Sequence, residues 1–200
     1  ALPISTSPQW LDDGTFLWLS ERTGYQHVYH YAAGGKLLGS VTSGDWQVRS
    51  VLRTDEAKKL LWFEGTKDGA TGRHYYRVGF DGNGLVGLTP GVGSHSAILN
   101  SDATFLIDRW SAMDMPTRVC VRDANTGKII KELGQANRGD GEKKYPFSER
   151  QRVAIDARDG YQLDACVMLP NGWHKGGRYP VFLPTYSGPD APTVSDSWRH

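Results

Sequence analysis

A repeat of about 45 residues is the feature that most constrains the fold of this 200-residue chain. Phe16, Leu61 and Phe105 each lie in an apolar run that follows a polar turn, and each run is followed by a second strand-like run and a Gly-containing turn. Short strands repeating at this period are typical of four-stranded propeller blades rather than of helical solenoids. The sequence therefore predicts a mainly β protein with about three blades, which is part of a propeller because a closed ring needs at least about four.

Each repeat contains several short runs of β-forming residues separated by turn residues. The predicted strands are 15–19, 27–31 and 37–38 in the first repeat, 60–63, 74–78 and 85–86 in the second, and 104–107, 118–121 and 129–130 in the third. Runs 47–52 and 94–99 precede the apolar strands of the second and third repeats, and we expect them to be the innermost strands of their blades.

Several carboxylates of the chain lie in the predicted turns, where they are expected to accept hydrogen bonds from backbone N–H groups instead of acting as acids or bases. They are Asp12, Asp13, Asp55, Glu56 and Asp159. Five tryptophans are predicted to fill gaps between blades, because large aromatic side chains supply much of the buried area between sheets. They are Trp10, Trp18, Trp46, Trp62 and Trp110. Cys120 and Cys166 lie in apolar runs, so buried thiols are the preferred interpretation and a disulfide is the open alternative.

Charge and motif patterns argue against several classes of partner. The formal net charge of +1 gives no electrostatic footprint for nucleic acid, and no apolar run is long enough to predict membrane contact. His27 and His30 are three residues apart in a predicted strand, so they would point to opposite faces and no metal site is expected. The glycines of segment 91–95 precede neither a helix nor a lysine, which argues against a phosphate loop. No cofactor is predicted.

A polar segment that begins at Gly134 marks a change in composition. We assign residues 1–134 to the C-terminal part of a propeller, residues 135–147 to a linker and residues 148–200 to the beginning of a second domain. Runs 152–157 and 163–169 flank an Asp-Gly turn and predict a hairpin, and Pro180 to Leu183 predict a buried strand. A hairpin followed by an apolar strand is how an α/β-hydrolase sheet would open.

Tyr186 is the candidate catalytic residue of the chain. It follows the apolar run and stands in a Tyr-Ser-Gly-Pro turn, where a phenol can lie at the mouth of a sheet and donate a hydrogen bond to a developing oxyanion. The 200 residues contain no Gly-x-Ser-x-Gly motif, so the nucleophile that such a phenol would assist is missing. The chain is interpreted as a piece of an enzyme, and by itself it is expected to be inactive.

Two blocks of sequence resemble the dipeptidyl-peptidase IV branch of the prolyl oligopeptidase superfamily. The first joins Ser20 to Tyr29 with Thr42 to Val48, and the second joins Tyr179 to Pro189 with Trp198. The resemblance implies an eight-bladed propeller beside an α/β-hydrolase domain, which removes dipeptides from peptide N-termini, often after Pro or Ala, by a Ser-Asp-His triad. It gives Tyr186 the role of an oxyanion-hole donor. It places the triad downstream of His200 and the glutamates that hold the substrate amino terminus upstream of Ala1.

The resemblance also bears on partners and location. It implies peptide substrates for the intact enzyme and a secreted, periplasmic or cell-envelope location, and it leaves a homo-oligomer open. The alternative function is an interaction module, namely a propeller from a catalytically dead relative, because propellers often serve as binding surfaces and fold alone does not fix function.

Overall fold

β-strands are the only regular elements of the described residues, which in this computed structural model are 7–137, 150–185 and 194–198. Three four-stranded antiparallel sheets follow one another along the chain, and within each sheet the strands pair in sequence order. The mainly β fold with three propeller blades is thus confirmed.

The strands follow the predicted repeat in order, although several extend beyond the predicted ends and the first strand of blade 1 was not predicted. Blade 1 contains β1 (Gln9–Trp10), β2 (Phe16–Ser20), β3 (His27–Tyr31) and β4 (Leu37–Ser40). Blade 2 contains β5 (Val48–Asp55), β6 (Leu60–Gly65), β7 (His74–Gly79) and β8 (Val86–Gly87). Blade 3 contains β9 (Ser94–Leu99), β10 (Phe105–Ala112), β11 (Met115–Asp123) and β12 (Ile129–Gln135). Runs 47–52 and 94–99 supply β5 and β9, each at one edge of its sheet.

Carboxylates hold the turns between strands, as the sequence predicts. Asp13 Oδ1 accepts a hydrogen bond from the Thr15 backbone N–H at 3.0 Å, and Asp55 Oδ1 accepts one from the Lys58 N–H at 2.9 Å. Asp159 Oδ1 likewise accepts from the Tyr161 N–H at 3.1 Å. These bonds satisfy backbone donors that the strands leave unpaired. The hydrogen bonds to the Thr15 hydroxyl and backbone N–H also hold the pKa of Asp13 below its ordinary value.

The hydrophobic core lies between the sheets. One cluster of buried side chains joins blades 1 and 2 and includes Leu17, Val28, Leu61 and Phe63. A second cluster joins blades 2 and 3 through Trp62, Leu88 and Leu106, among others. Among the described residues, the buried apolar side chains of each blade thus pack against a neighbouring blade, which is the packing that a repeat of this kind requires.

Two of the five tryptophans fill the gaps between blades as predicted. The ring of Trp46 is buried and stacks on Phe63 of blade 2 at 5.9 Å between centroids. Trp62 is buried, and its Nε1–H donates to the Ala124 carbonyl of blade 3 at 2.9 Å. Trp110, which is partly buried, stacks on His95 within blade 3.

For Trp10 and Trp18 the prediction is wrong, since they are 57% and 40% exposed. Both rings belong to an aromatic group on blade 1, with Trp10 next to Phe16 and Trp18 next to Tyr31. No neighbouring sheet among the described residues covers these two rings. A large aromatic side chain favours packing between sheets, but blades 2 and 3 do not cover the rings of Trp10 and Trp18.

The predicted hairpin after the linker is present, with β13 (Arg150–Asp156) and β14 (Gln162–Met168) paired antiparallel. The strand predicted for Pro180 to Leu183 is wrong, because this run forms no strand and Phe182 is 89% exposed. An apolar run becomes a strand only where a partner satisfies its backbone N–H and C=O groups, and no described strand pairs with it.

The two cysteines differ. Cys120 is a buried free thiol, as preferred, and burial raises its pKa. Cys166 is free but exposed, so the prediction of a second buried thiol is wrong. Its hairpin is not covered by a further sheet in the described residues, and hence the apolar run around Cys166 stays open to solvent.

Candidate functional site

The candidate catalytic residue Tyr186 lies outside the described residues, as does the Ser187–Pro189 turn that follows it. The described chain ends just before it at Thr185 and resumes at Val194. The segment 194–198, which we call the docked segment, is the described part of the chain that follows Tyr186, and it contacts the surfaces of the blades.

Backbone hydrogen bonds attach the docked segment to two blades. The Asp196 N–H donates to the Thr71 carbonyl of blade 2 at 2.9 Å. The Asp196 Oδ1 accepts from the Met113 N–H of blade 3 at 3.0 Å. The Trp198 N–H donates to the Ser111 hydroxyl of blade 3 at 3.1 Å. The docked segment thus bridges the ends of blades 2 and 3.

The hairpin formed by β13 and β14 also contacts blade 2 and the docked segment. Arg152 Nη1 donates to the Thr71 hydroxyl at 2.9 Å, and Arg150 Nη2 donates to the Ser197 carbonyl. Arg152 also lies 3.4 Å from Asp164 across the hairpin, a pair that stabilises little because both side chains are largely exposed. Blade 2, the docked segment and β13 therefore meet at one junction around Thr71.

A polar cleft of about 320 Å³ opens beside this junction. Arg73, Arg109 and the Ser195 and Ser197 hydroxyls line it together with the Trp110 ring. The Arg73 Nε lies 3.8 Å from Glu64 Oε1, and the Tyr75 hydroxyl donates weakly to the other Glu64 oxygen at 3.4 Å. Burial raises the pKa of Tyr75 above its ordinary value, so its phenol stays protonated and keeps donating.

Beneath the cleft lies a buried ionic network that the sequence reading missed. Asp108 is fully buried; it accepts from the Nδ1–H of His95 at 3.0 Å and from the Nε–H of Arg122 at 2.8 Å. Arg122 also donates to the Gly127 carbonyl at 3.0 Å. The residue opposite Asp108 on β11 is Cys120, so Arg122 lies two residues farther along that strand on the same face. Only the alignment of β10 with β11 shows that the two charged side chains are neighbours.

Two other histidines hold equivalent positions in blades 1 and 2. His27 begins β3, and its Nδ1 lies 3.0 Å from the Thr42 hydroxyl, which also accepts from the Val28 N–H. His74 begins β7, and its Nδ1 lies 3.0 Å from the Thr89 carbonyl, while the Thr89 hydroxyl accepts from the Tyr75 N–H. The signal that would have found them is the shared spacing, since each threonine follows its histidine by 15 residues.

His30, the other member of the histidine pair, has a different environment from His27. Its Nε2 lies 2.8 Å from the Thr15 hydroxyl, which in turn donates to Asp13. Because that hydroxyl proton is already donated, His30 must supply the proton of its own bond, and burial lowers the pKa of the ring. Among the described residues, no group of three or more His, Cys, Asp or Glu side chains is arranged to hold a metal ion.

In chemical terms the junction holds chain segments in place. The described residues at the junction include serines and His95. The Nδ1–H of His95 is bonded to Asp108, which orients the ring, but its Nε2 has no partner, so no serine hydroxyl of the described residues is hydrogen-bonded to it. The arrangement therefore supplies no activated serine, and it fixes how the docked segment and the hairpin sit on the blades.

Comparisons with known proteins agree with this architecture. A family model described as the dipeptidyl peptidase IV N-terminal region matches residues 3–117. The chain belongs to this family. The dipeptidyl peptidase 4 of Trichophyton equinum and that of Trichophyton rubrum are each 26% identical to it over 184 residues, which are 90% of the chain.

A solved structure shows the same fold. The crystal structure of Porphyromonas gingivalis dipeptidyl peptidase 4 superposes on 96% of the chain, with a TM-score of 0.83 and a sequence identity of 24%. The chain spans about a quarter of these relatives, namely 24% of each fungal protein and 27% of the bacterial chain. In the described residues, no helix is long and apolar enough to cross a membrane.

Proposed function

We propose that the protein containing this chain is a serine-type dipeptidyl peptidase that removes dipeptides from peptide N-termini, often after Pro or Ala. The observation that carries the proposal is the family match over residues 3–117 combined with the bladed fold. The fungal and bacterial relatives are named dipeptidyl peptidase 4. The 200 residues contribute blades and a docked segment, while the triad would come from other parts of the protein.

In this proposal the boundaries expected from the sequence are kept. Residues 1–134 form the C-terminal part of the propeller, 135–147 the linker and 148–200 the beginning of the α/β-hydrolase domain. The hairpin and the docked segment support this division, because both follow the linker and both contact the ends of the blades. The peptide is the substrate, and a homo-oligomer and an extracytoplasmic location are consistent with the family.

In the proposed peptidase, Tyr186 is the residue that donates a hydrogen bond to the oxyanion. A phenol of ordinary acidity stays protonated at neutral pH, so it can donate a hydrogen bond to the tetrahedral oxyanion while the serine attacks the scissile carbonyl. Losing one such donor costs a factor of about 10² to 10³ in kcat. The docked segment begins eight residues after Tyr186 in the sequence, which makes the junction the described region nearest to it along the chain.

The test is steady-state kinetics of the intact protein on Ala-Pro and Gly-Pro chromogenic substrates, with Tyr186→Phe beside the wild type. We expect kcat to fall by a factor of about 10² or more while the fold is retained, because only the donor is lost. Tyr179→Phe is the matched control; its hydroxyl accepts the His174 N–H at 3.1 Å, and its removal should leave kcat within about twofold.

Two outcomes would contradict the proposal in different ways. Unchanged turnover in Tyr186→Phe removes the donor role of that residue. A folded wild-type protein that cleaves neither substrate and is not labelled by a serine-directed phosphonate favours the alternative, the interaction module from a catalytically dead relative.

A further inference from the structure

Asp196 is the residue of the docked segment that contacts both blades. Its backbone N–H is bonded to the Thr71 carbonyl, and its carboxylate accepts the Met113 N–H. Ser195 and Ser197 hydrogen-bond each other through their hydroxyls at 3.0 Å. The Trp198 N–H donates to the Ser111 hydroxyl of blade 3. The side chain of Asp196 thus carries a contact that its neighbours do not duplicate.

The two blade groups that Asp196 contacts are equivalent in the repeat. Thr71 lies between β6 and β7, and Met113 lies between β10 and β11, so both belong to the connection between the second and third strands of a blade. Such connections lie at the same end of successive blades. One residue that pairs with both fixes the position of the docked segment relative to two blades at once.

The carboxylate makes this contact stronger than a neutral acceptor would. A hydrogen bond from a backbone N–H to an ionised carboxylate is about twice as strong as one between neutral groups. The Met113 N–H lies in a turn, and its acceptor among the described residues is Asp196, so without Asp196 it would have to find water. Both residues are half-buried, which limits the access of water.

We propose that Asp196 is a positioning residue, which locks the region after the linker onto the ends of blades 2 and 3 and thereby holds the hydrolase region in register with the propeller. The expected effect on catalysis rests on the proposed function. The attachment of the docked segment to blades 2 and 3, which we call the lock, depends only on the contacts of Asp196. Catalytic groups displaced by about 1 Å lose a factor of up to about 10² in rate, so a loosened junction should lower turnover.

The experiment compares Asp196→Ala with Asp196→Asn in the intact protein. Asparagine keeps an oxygen that can accept the Met113 N–H, whereas alanine removes it. Amide hydrogen exchange at Met113, read by mass spectrometry, should be about tenfold faster in Asp196→Ala and intermediate between alanine and wild type in Asp196→Asn, whose neutral oxygen accepts more weakly. The kcat on a Gly-Pro chromogenic substrate should fall by about tenfold in the alanine variant and recover in part in the asparagine variant.

Ser195→Ala is the control on the same segment, because the Ser195 hydroxyl is hydrogen-bonded to Ser197 within the segment; the substitution should change neither measurement. Wild-type exchange at Met113 in Asp196→Ala overturns the lock. Faster exchange with unchanged kcat overturns the positioning role and keeps the lock. A wild type that cleaves nothing overturns the proposed function, and the positioning role with it, while the exchange measurement still decides the lock.

Discussion

At the scale of single residues, the network of His95, Asp108 and Arg122 shows how a buried charge is tolerated. Asp108 is fully buried, and two cationic or polar partners from β9 and β11 surround its carboxylate. A buried ion pair contributes little net stability compared with an apolar replacement, but removal of one member leaves the others unpaired. The network therefore acts mainly as a constraint on how three strands of blade 3 fit together.

The corresponding prediction is that Asp108→Ala destabilises the chain strongly. Arg122 and His95 would remain buried without their acceptor, and breaking such a pair costs about 3–5 kcal/mol. Asp102→Ala is the control, because Asp102 is exposed and contacts only the Ser101 hydroxyl; we expect a change below about 0.5 kcal/mol. Urea unfolding followed by tryptophan fluorescence measures both, and equal midpoints for the two variants would contradict the role given to Asp108.

At the scale of elements, the packing of two blades depends on how closely a turn of one blade approaches the next blade. The turn between β11 and β12 ends at Gly127, which has a φ of +73° and faces blade 2. A Cβ at this position would lie 2.7 Å from the Leu88 carbonyl oxygen, so the turn can touch blade 2 only because the residue has no side chain. Pairing within each sheet is local, whereas contacts of this kind set the distance between sheets.

Gly127→Ala is accordingly expected to destabilise the chain more than Gly160→Ala. Both glycines have positive φ, +73° and +82°, so both substitutions cost about 1 kcal/mol of backbone strain. Only at Gly127 does the new methyl group meet backbone atoms, which adds about 1–3 kcal/mol of overpacking; around Gly160 there is open space. Thermal unfolding of the two variants beside the wild type is the measurement, and a Gly160→Ala variant as unstable as Gly127→Ala would show that strain alone accounts for the loss.

At the scale of the whole molecule, the described chain leaves apolar surface uncovered. Ile98 and Ile130 of blade 3, Trp10 of blade 1 and Phe182 after the hairpin are all more than half exposed. The chain spans about a quarter of its relatives, and surfaces of this kind on a soluble protein are sites of association. The edge strands of the three sheets add unpaired N–H and C=O groups.

We therefore expect the 200-residue chain, prepared alone, to self-associate and to lack peptidase activity. Light scattering should show a mass that rises with concentration, and Phe182→Glu combined with Ile98→Glu should reduce the association because charge disfavours apolar and edge-to-edge pairing. Dipeptide chromogenic substrates should stay uncleaved, since no motif of the chain supplies an activated serine. A monodisperse monomer at high concentration contradicts the first expectation, and phosphonate-sensitive hydrolysis contradicts the second.

The sequence by itself determined the local structure of this protein. The period between Phe16, Leu61 and Phe105, the runs of β-forming residues and the Asp-Gly turns are local signals. They predicted the order of the blade strands and the hairpin, although β1 was not predicted and other strands extend up to five residues beyond the predicted ends. The role of turn carboxylates such as Asp55 was also predictable, because such a side chain bonds backbone groups only a few residues away.

Only the tertiary structure decided which surfaces meet. Burial of Trp62 and exposure of Trp18 could not be told apart by residue type, and the run at Phe182 found no strand partner. The pairing of His95 with Asp108 and the bridge from Asp196 to Met113 join residues 13 and 83 positions apart. Contacts at such separations depend on the register of strands and on the way blades stack, and neither is encoded in the local pattern of the residues involved.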